Sequence, residues 1–207
     1  MTEQQIAQLL VPFLNGRALS DAQLALVITY LDLLLKWNAR LNLTAIRNPE
    51  EVVTRHFGES LFAARQLFPS STDAGAAVDI GSGPGFPGIP LKLWNSSLQM
   101  TLIESNQRKA TFLREVVRAL KLETVEVLAT RAESLSLQAD LVTFRAVEKF
   151  ERTLPVARSL VRPGGRMAIL IGEAQVAIAQ RRLLEVQWRE PLAVPGSSNR
   201  VLLVGVV

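Results

Sequence analysis

The densest chemical signal in the chain is Val78-Asp79-Ile80-Gly81-Ser82-Gly83-Pro84-Gly85-Phe86-Pro87-Gly88. A short apolar run ends in three glycines at alternate positions, and an apolar, helix-like stretch from Ile89 to Trp94 follows. A strand, a tight turn and a helix start in that order let backbone lie flat against a nucleotide-like ligand. Glycine suits the turn because it tolerates positive φ and has no Cβ to hold a ligand away. Glu104 closes the next apolar run, Met100 to Ile103. An acid at the tip of the second strand, roughly 20 residues beyond the glycines, is placed to accept hydrogen bonds from ribose hydroxyls.

Two cofactors compete for such a loop, a dinucleotide and S-adenosylmethionine. A dinucleotide sets its pyrophosphate on a helix N-terminus, usually with the spacing G-x-G-x-x-G. Here the spacing is G-x-G-x-G, and the next glycine, Gly88, comes only after Pro84 and Pro87. Asp79, just ahead of Gly81, would repel a pyrophosphate but suits the cationic end of S-adenosylmethionine. The residues therefore favour S-adenosylmethionine, with Asp79, Gly81, Gly83, Gly85 and Glu104 as candidate cofactor ligands.

The elements around this loop alternate. Strands are predicted over 77–80, 99–104, 125–129, 141–144 and 166–171, and helices over 88–94, 107–121, 150–161 and 174–185. Two late apolar runs, 185–192 and 201–207, read as a closing pair of strands. Alternation of this kind implies a mostly parallel sheet with helices on both faces. An antiparallel pair appended to it is the pattern of class I, Rossmann-like methyltransferases, with seven strands. The Arg162-Pro163-Gly164-Gly165-Arg166 turn before the fifth strand fits the same class. Ligands in this architecture sit at the carboxyl ends of the strands. That gathers Gly81, Glu104, the segment after Ala129 and Arg145 around one crevice.

Ahead of the sheet, residues 1–70 read as a helical extension, with 76–207 as the Rossmann-like domain. Leu24, Val27, Ile28, Leu31, Leu34 and Leu35 follow the spacing of one helix face. Ser20 and Gln23 form a capping box before it. A shorter helix is expected over 3–14. Asn48, Pro49 and Glu51 mark another helix start. The polar stretch Pro69 to Gly75 reads as the linker.

Composition bounds the function. With 207 residues, 48% of them hydrophobic and 20% charged, the chain is long enough to bury one substantial core with an appendage. The most apolar segment, Leu24 to Trp37, is too short for a bilayer and contains Asp32. The first residues lack the basic start of a signal peptide. The absence of cysteine rules out disulfides and thiolate metal sites and fits the cytoplasm. The net charge of +4 divides into −1 over residues 1–76 and +5 over the rest. A mildly basic α/β part suits a polyanion such as RNA, and equally an ordinary solvated surface.

The missing residue types narrow the chemistry. Carbon methylation of pyrimidines commonly uses a cysteine nucleophile, which this chain lacks. Methylation of exocyclic amines commonly uses an Asn/Asp-Pro-Pro-aromatic loop after the fourth strand, where this chain has Thr143-Phe144-Arg145-Ala146-Val147. Asn48-Pro49 is explained by capping. A ring nitrogen with a free lone pair, such as guanine N7, needs neither device. Small-molecule substrates remain open.

Several strings then carry a family resemblance. They are Lys36-Trp37-Asn38, Asn42-Leu43-Thr44, Arg55-His56, the whole of Asp79 to Pro90, Arg131-Ala132-Glu133 and Arg145-Ala146. Along nearly its whole length the chain resembles the small-subunit ribosomal RNA guanine-N7 methyltransferase G family, also called glucose-inhibited division protein B. The resemblance implies that Gly81 and Phe86 line the S-adenosylmethionine site, that Ala132 and Glu133 lie beside the adenine, and that Arg145 sits near the reacting methyl. It implies a guanine N7 in 16S ribosomal RNA of the small ribosomal subunit as target. Apart from the resemblance, no membrane partner and no metal are expected, and the chain is expected to act as a monomer. The chain departs from the family pattern at Phe144, where a small Ser is common, at Ile171, where a Lys is common, and at Gly58-Glu59-Ser60, where Leu-Asp-Ser is usual.

Arg145 is expected to position substrate and cofactor with no general base beside it. It could instead pair with Glu148 at the surface. His56 is the only histidine, and a structural or substrate-positioning role is preferred because N7 methylation has no proton to remove. Asn42 and Thr44 either break a helix or line the nucleotide pocket. Arg55 and Arg200 are candidate RNA ligands. Arg108, Lys109, Arg114, Arg118 and Lys121 form a basic helix face, solvated or contacting phosphate. Trp37, Trp94 and Trp188 read as core. Two other readings survive, a small-molecule methyltransferase and a non-catalytic RNA- or ribosome-binding protein. Salt-dependent RNA binding separates the first from an RNA enzyme, and turnover separates the second.

Overall fold

The computed structural model describes residues 1–70 and 74–207, so part of the predicted linker, at 71–73, lies outside the described residues. Helix α1 (Glu3–Leu14) and helix α2 (Asp21–Leu41) each begin at a capping box, Thr2 with Gln5 and Ser20 with Gln23. Asn42 ends α2 in the left-handed conformation. Helix α3 (Pro49–Val52) starts where Asn48 accepts hydrogen bonds from Glu50 and Glu51. It runs on through a π-helical turn, Val53–Gly58, into α4 (Glu59–Leu67). Such π turns are rare and occur often at functional sites.

Five strands run parallel: β1 (Gly75–Ile80), β2 (Leu98–Ile103), β3 (Val125–Leu128), β4 (Ala139–Arg145) and β5 (Val161–Gly172). Between them lie α5 (Gly88–Trp94), α6 (Gln107–Ala119) and α7 (Phe150–Ser159). Helix α8 (Val176–Arg182) precedes two short strands, β6 (Gln187–Trp188) and β7 (Leu192–Ala193), and the last strand, β8 (Arg200–Val206). Among the described residues the order is β3-β2-β1-β4-β5-β8-β6, with β7 also paired to β8. β8 is antiparallel to β5. The chain thus forms the mostly parallel, Rossmann-like sheet expected, in eight strands.

The differences from expectation have local causes. The single strand expected over 185–192 is divided into β6 and β7, and Pro191 between them has no N–H for the ladder. The helix expected over 174–185 is a 3-10 turn, Glu173–Gln175, followed by the shorter α8. Strand β5 begins earlier than expected, because Arg162 to Gly165 form an irregularity inside it. The register jumps from Ala139↔Val161 to Leu141↔Arg166. Gly164 takes φ +76, and its N–H donates to Val207 O at 2.7 Å.

Strand alternation divides the core into two layers. Val78, Ile80, Val142, Phe144, Ile169 and Ile171 face α7 and α8. Ala77, Leu102, Leu141, Ala168 and Leu170 face the other way, into one cluster with α1, α2, α4, α5 and α6. Phe144 and Ile171 are therefore buried in the first layer and do not reach the rim of the crevice. Residues of opposite parity, Asp79, Thr143 and Arg145, belong to the side covered by the N-terminal helices. The strand order reverses between β1 and β4, where doubly wound sheets bind ligands.

Candidate functional site

A cavity of about 580 Å³ opens at the carboxyl ends of β1, β2 and β4. Gly81, Gly83, Phe86, Glu104, Ala132, Glu133, Arg145, Thr44 and His56 all line it. Its size falls in the range that encloses a nucleoside-sized ligand. Ile80, Ile103, Val147 and Ala132 give it apolar walls.

The glycine loop is held by its own backbone. Ser82 N–H donates to Ile103 O at 3.0 Å, and Gly85 N–H to Ser82 O at 2.7 Å. Gly81 takes φ +62, and a Cβ there would lie 3.3 Å from Val147. Glu104 ties this loop to the next: one oxygen accepts Gly83 N–H at 2.9 Å, the other Asn106 N–H at 2.7 Å. Each carboxylate oxygen keeps a lone pair, so Glu104 can still accept from a hydroxyl.

Not every predicted ligand reaches the cavity. Gly85, at φ +99, points its missing Cβ at Tyr30, Ile89 and Leu113, so it serves packing under the loop. Asp79 is fully buried beneath the loop. One of its oxygens accepts Gly88 N–H at 3.2 Å at the start of α5, and the other has no protein partner among the described residues. Burial pushes its pKa up to about 7, against the pull of Ser82, Gly88 and Arg145. Asn42, Arg55 and Arg200 lie outside the cavity lining. Asn42 accepts from Arg47, and Arg55 pairs with Glu51 at 2.8 Å on the surface.

Arg145 is the centre of a polar cluster between β4 and the π turn. One guanidinium nitrogen donates to Arg55 O at 2.6 Å and the other to His56 Nδ1. Glu59 Oε2 lies 3.4 Å from Arg145, and its other oxygen lies 2.6 Å from Arg200. The surface pair of Arg145 with Glu148 weighed from the sequence is absent from the ion pairs of the described residues. Burial pushes the Glu59 carboxyl upward, and the arginines pull it back.

His56 stacks on Phe86 at 4.8 Å between ring centroids, and Phe86 stacks in turn on Tyr30 at 5.2 Å. The imidazole is pushed down to about 2, by burial first and by Arg145, Arg55 and Arg200 next. It is therefore neutral at physiological pH, with its Nδ1 lone pair taken by a guanidinium.

Sequence reasoning gave no role to Glu59, Asn38 or Tyr30. Glu59 occupies the position where the resemblance flags a departure. Asn38 is a buried amide inside an apolar helix, and that alone was a signal. Among the described residues no group of three His, Cys, Asp or Glu could hold a metal, and no helix is long and apolar enough to cross a membrane.

The S-adenosylmethionine expected from the sequence fits these residues. A ribose acceptor, a side-chain-free wall at Gly81, apolar surfaces and a buried, unpartnered carboxylate oxygen at Asp79 are present together.

A family model described as "rRNA small subunit methyltransferase G" matches residues 23–200. The chain is 41% identical over 202 residues to the ribosomal RNA small subunit methyltransferase G of Xanthomonas axonopodis pv. citri, covering 93% of this chain and 91% of that one. Among solved structures it is similar to a ribosomal protein L11 methylase from Lactobacillus delbrueckii subsp. bulgaricus, with a TM-score of 0.61 at 14% identity over 72% of this chain and 78% of that one. It is also similar to M. jannaschii TYW2 in complex with AdoMet, with a TM-score of 0.57 at 16% identity over 72% of this chain and 74% of that one. At such identities the structural likeness speaks for the fold.

Proposed function

The chain belongs to the rRNA small subunit methyltransferase G family, and from that membership we propose that it methylates N7 of a guanine in 16S ribosomal RNA, using S-adenosylmethionine. It acts in the cytoplasm, as a monomer, on the small ribosomal subunit. Residues 1–70 serve as an extension that completes the site of the methyltransferase domain over 76–207.

The observation that carries this reading is the convergence of the glycine loop, Glu104 and Arg145 on one cavity in which the sole imidazole is already spent. Guanine N7 has a lone pair and no proton, so its methylation needs alignment and exclusion of water and no base. S-adenosylmethionine supplies the electrophilic methyl group. Glu104 holds the ribose, Gly81 and Gly83 admit the nucleoside, and Ala132 and Glu133 flank the adenine. Asp79 supports the loop from beneath, accepting the Gly88 N–H at the start of α5. Phe86 and the apolar wall keep water out. Arg145, fixed by His56, Glu59 and the Arg55 carbonyl, orients the base and the methionine end. Asn42, Thr44, Arg55, His56 and Arg200 form or support the RNA side.

The test is incubation of the protein with labelled S-adenosylmethionine and small ribosomal subunits lacking this methylation, followed by nucleoside analysis by mass spectrometry. Stoichiometric 7-methylguanosine is expected. No incorporation by a protein that binds the cofactor would overturn the reading in favour of a small-molecule substrate or a non-catalytic role.

A further inference from the structure

The hydrogen-bond chain that starts at Arg145 fixes the direction of every hydrogen along it. A guanidinium has only donors. The contact of Arg145 with His56 Nδ1 therefore makes Nδ1 the acceptor, and the neutral ring carries its hydrogen on Nε2. Nε2 lies 2.8 Å from Thr44 Oγ1, so Thr44 accepts there. Ile46 N–H also donates to Thr44 Oγ1, at 3.1 Å. A hydroxyl has two acceptor positions and one hydrogen. Both acceptor positions of Thr44 are now filled, and its hydrogen has no acceptor among the described residues.

Thr44 lines the cavity together with Phe86 and Arg145. Its backbone is clamped: Asn38 Oδ1 accepts Thr44 N–H at 2.9 Å, and Asn38 Nδ2 donates to Thr44 O at 3.0 Å. Thr44, a residue of the cavity lining, thus carries a fixed hydroxyl that can donate and cannot accept.

We propose that Thr44 is a specificity-determining residue, whose hydroxyl hydrogen selects a purine bearing a carbonyl, and rejects one bearing an amino group, at the carbon next to the N7 edge. This rests on the guanine-N7 reading above. Guanine presents O6 there as an acceptor. Adenine presents an amino group, which places donor against donor, and the hydroxyl cannot turn to accept because its lone pairs are spent. A bond to O6 also leaves the N7 lone pair free for the methyl group.

The test uses small subunits reconstituted with ribosomal RNA carrying either guanine or 2,6-diaminopurine at the methylated position. The analogue keeps N7 and the 2-amino group and replaces O6 with an amino group. The intact protein is expected to prefer guanine by at least about a hundredfold in kcat/KM. Thr44→Val should lose about tenfold to a hundredfold on guanine and little on the analogue, so that the preference narrows. Thr44→Ser should keep it, and S-adenosylmethionine affinity should be the same in all three. Should Thr44→Val not bind the cofactor normally, Thr44→Cys, a weak donor, supplies the same comparison. A preference unchanged in these variants, or equal methylation of both RNAs by the intact protein, overturns the assignment to Thr44 alone. Failure to methylate guanine at all overturns the guanine-N7 reading and this one with it.

Discussion

Glu59 Oε2 lies 3.4 Å from Arg145 Nη1, with Glu59 buried and the Arg145 side chain only 11% exposed. The same carboxylate binds Arg200, which leads into the last strand. One acid from the N-terminal helices therefore holds cations from two strands. Removing one partner of a buried pair leaves the other uncompensated, typically at about 3 kcal/mol or more. Glu59→Gln is expected to lower unfolding free energy by about that amount. It should also lower kcat more than it weakens cofactor binding, because Arg145 loses an anchor while Glu104 and the glycine loop keep theirs. Glu59→Asp should recover part of both. Chemical denaturation and steady-state kinetics on the same preparations check this, and equal stability of Glu59→Gln and the parent would contradict it.

The glycines of one loop should fail in different ways. Gly81 is at φ +62 on the cavity wall, so Gly81→Val puts a strained, branched side chain where the cofactor lies. Loss of cofactor binding is expected, with a folded protein remaining. Gly85→Ala drives a Cβ into Tyr30 and Ile89 beneath the loop. It should destabilise the fold by about 2 kcal/mol or more, as overpacking with positive φ does. Calorimetric titration separates the first effect, and thermal unfolding the second. Equal losses of binding and stability in both variants would argue against this division.

Glu104→Gln keeps one oxygen and loses the other, replacing an acceptor with a donor that faces the Gly83 or Asn106 N–H. Cofactor affinity is expected to fall by about tenfold or more, since hydrogen bonds to a charged acceptor are the stronger kind. Turnover at saturating cofactor should change little. An affinity within about twofold of the parent would remove Glu104 from the ribose site.

How far this site was legible in the sequence follows from the range of its contacts. The glycine loop and Glu104 are read through local pattern, strand then turn and acid at the next strand tip, and the structure places both on the cavity. Capping at Ser20 and Asn48 is equally local. Arg145 was legible as a strand tip, but its partners His56 and Glu59 lie far off in the chain. They meet it only because strand parity sends Arg145 toward the N-terminal helices and a π turn rotates His56 inward. No periodicity reports a π turn. Asp79 and Gly85 read as ligands because the motif is contiguous, whereas alternation along the strand and the fold of the loop turn them inside. Phe144 and Ile171, odd in the family pattern, are simply buried on the opposite face.

Two buried groups give a pH signature whose signs oppose. His56 has its pKa depressed from 6.5 to about 2. Unfolding lets it protonate, so its stabilising contribution is present above about pH 6.5 and is lost as pH falls toward 2. Asp79 has its pKa raised from 3.8 to about 7. Unfolding lets it ionise, so its contribution is present below pH 3.8 and is lost as pH rises toward 7. Each group has a limiting slope of about 1.4 kcal/mol per pH unit. Between pH 3.8 and 6.5 the two slopes cancel in the parent. Asp79→Asn removes one of them, and its unfolding free energy should rise with pH across that window. His56→Gln removes the other, and its unfolding free energy should fall across the same window. Urea unfolding at a series of pH values measures both. Parallel profiles for the two variants would mean that at least one group titrates in the folded protein as it does in water. Because His56 is neutral over the whole working range, the pH dependence of kcat should show no step near 6.5 from this ring. Such a step, abolished in His56→Gln, would return the imidazole to the role of a base.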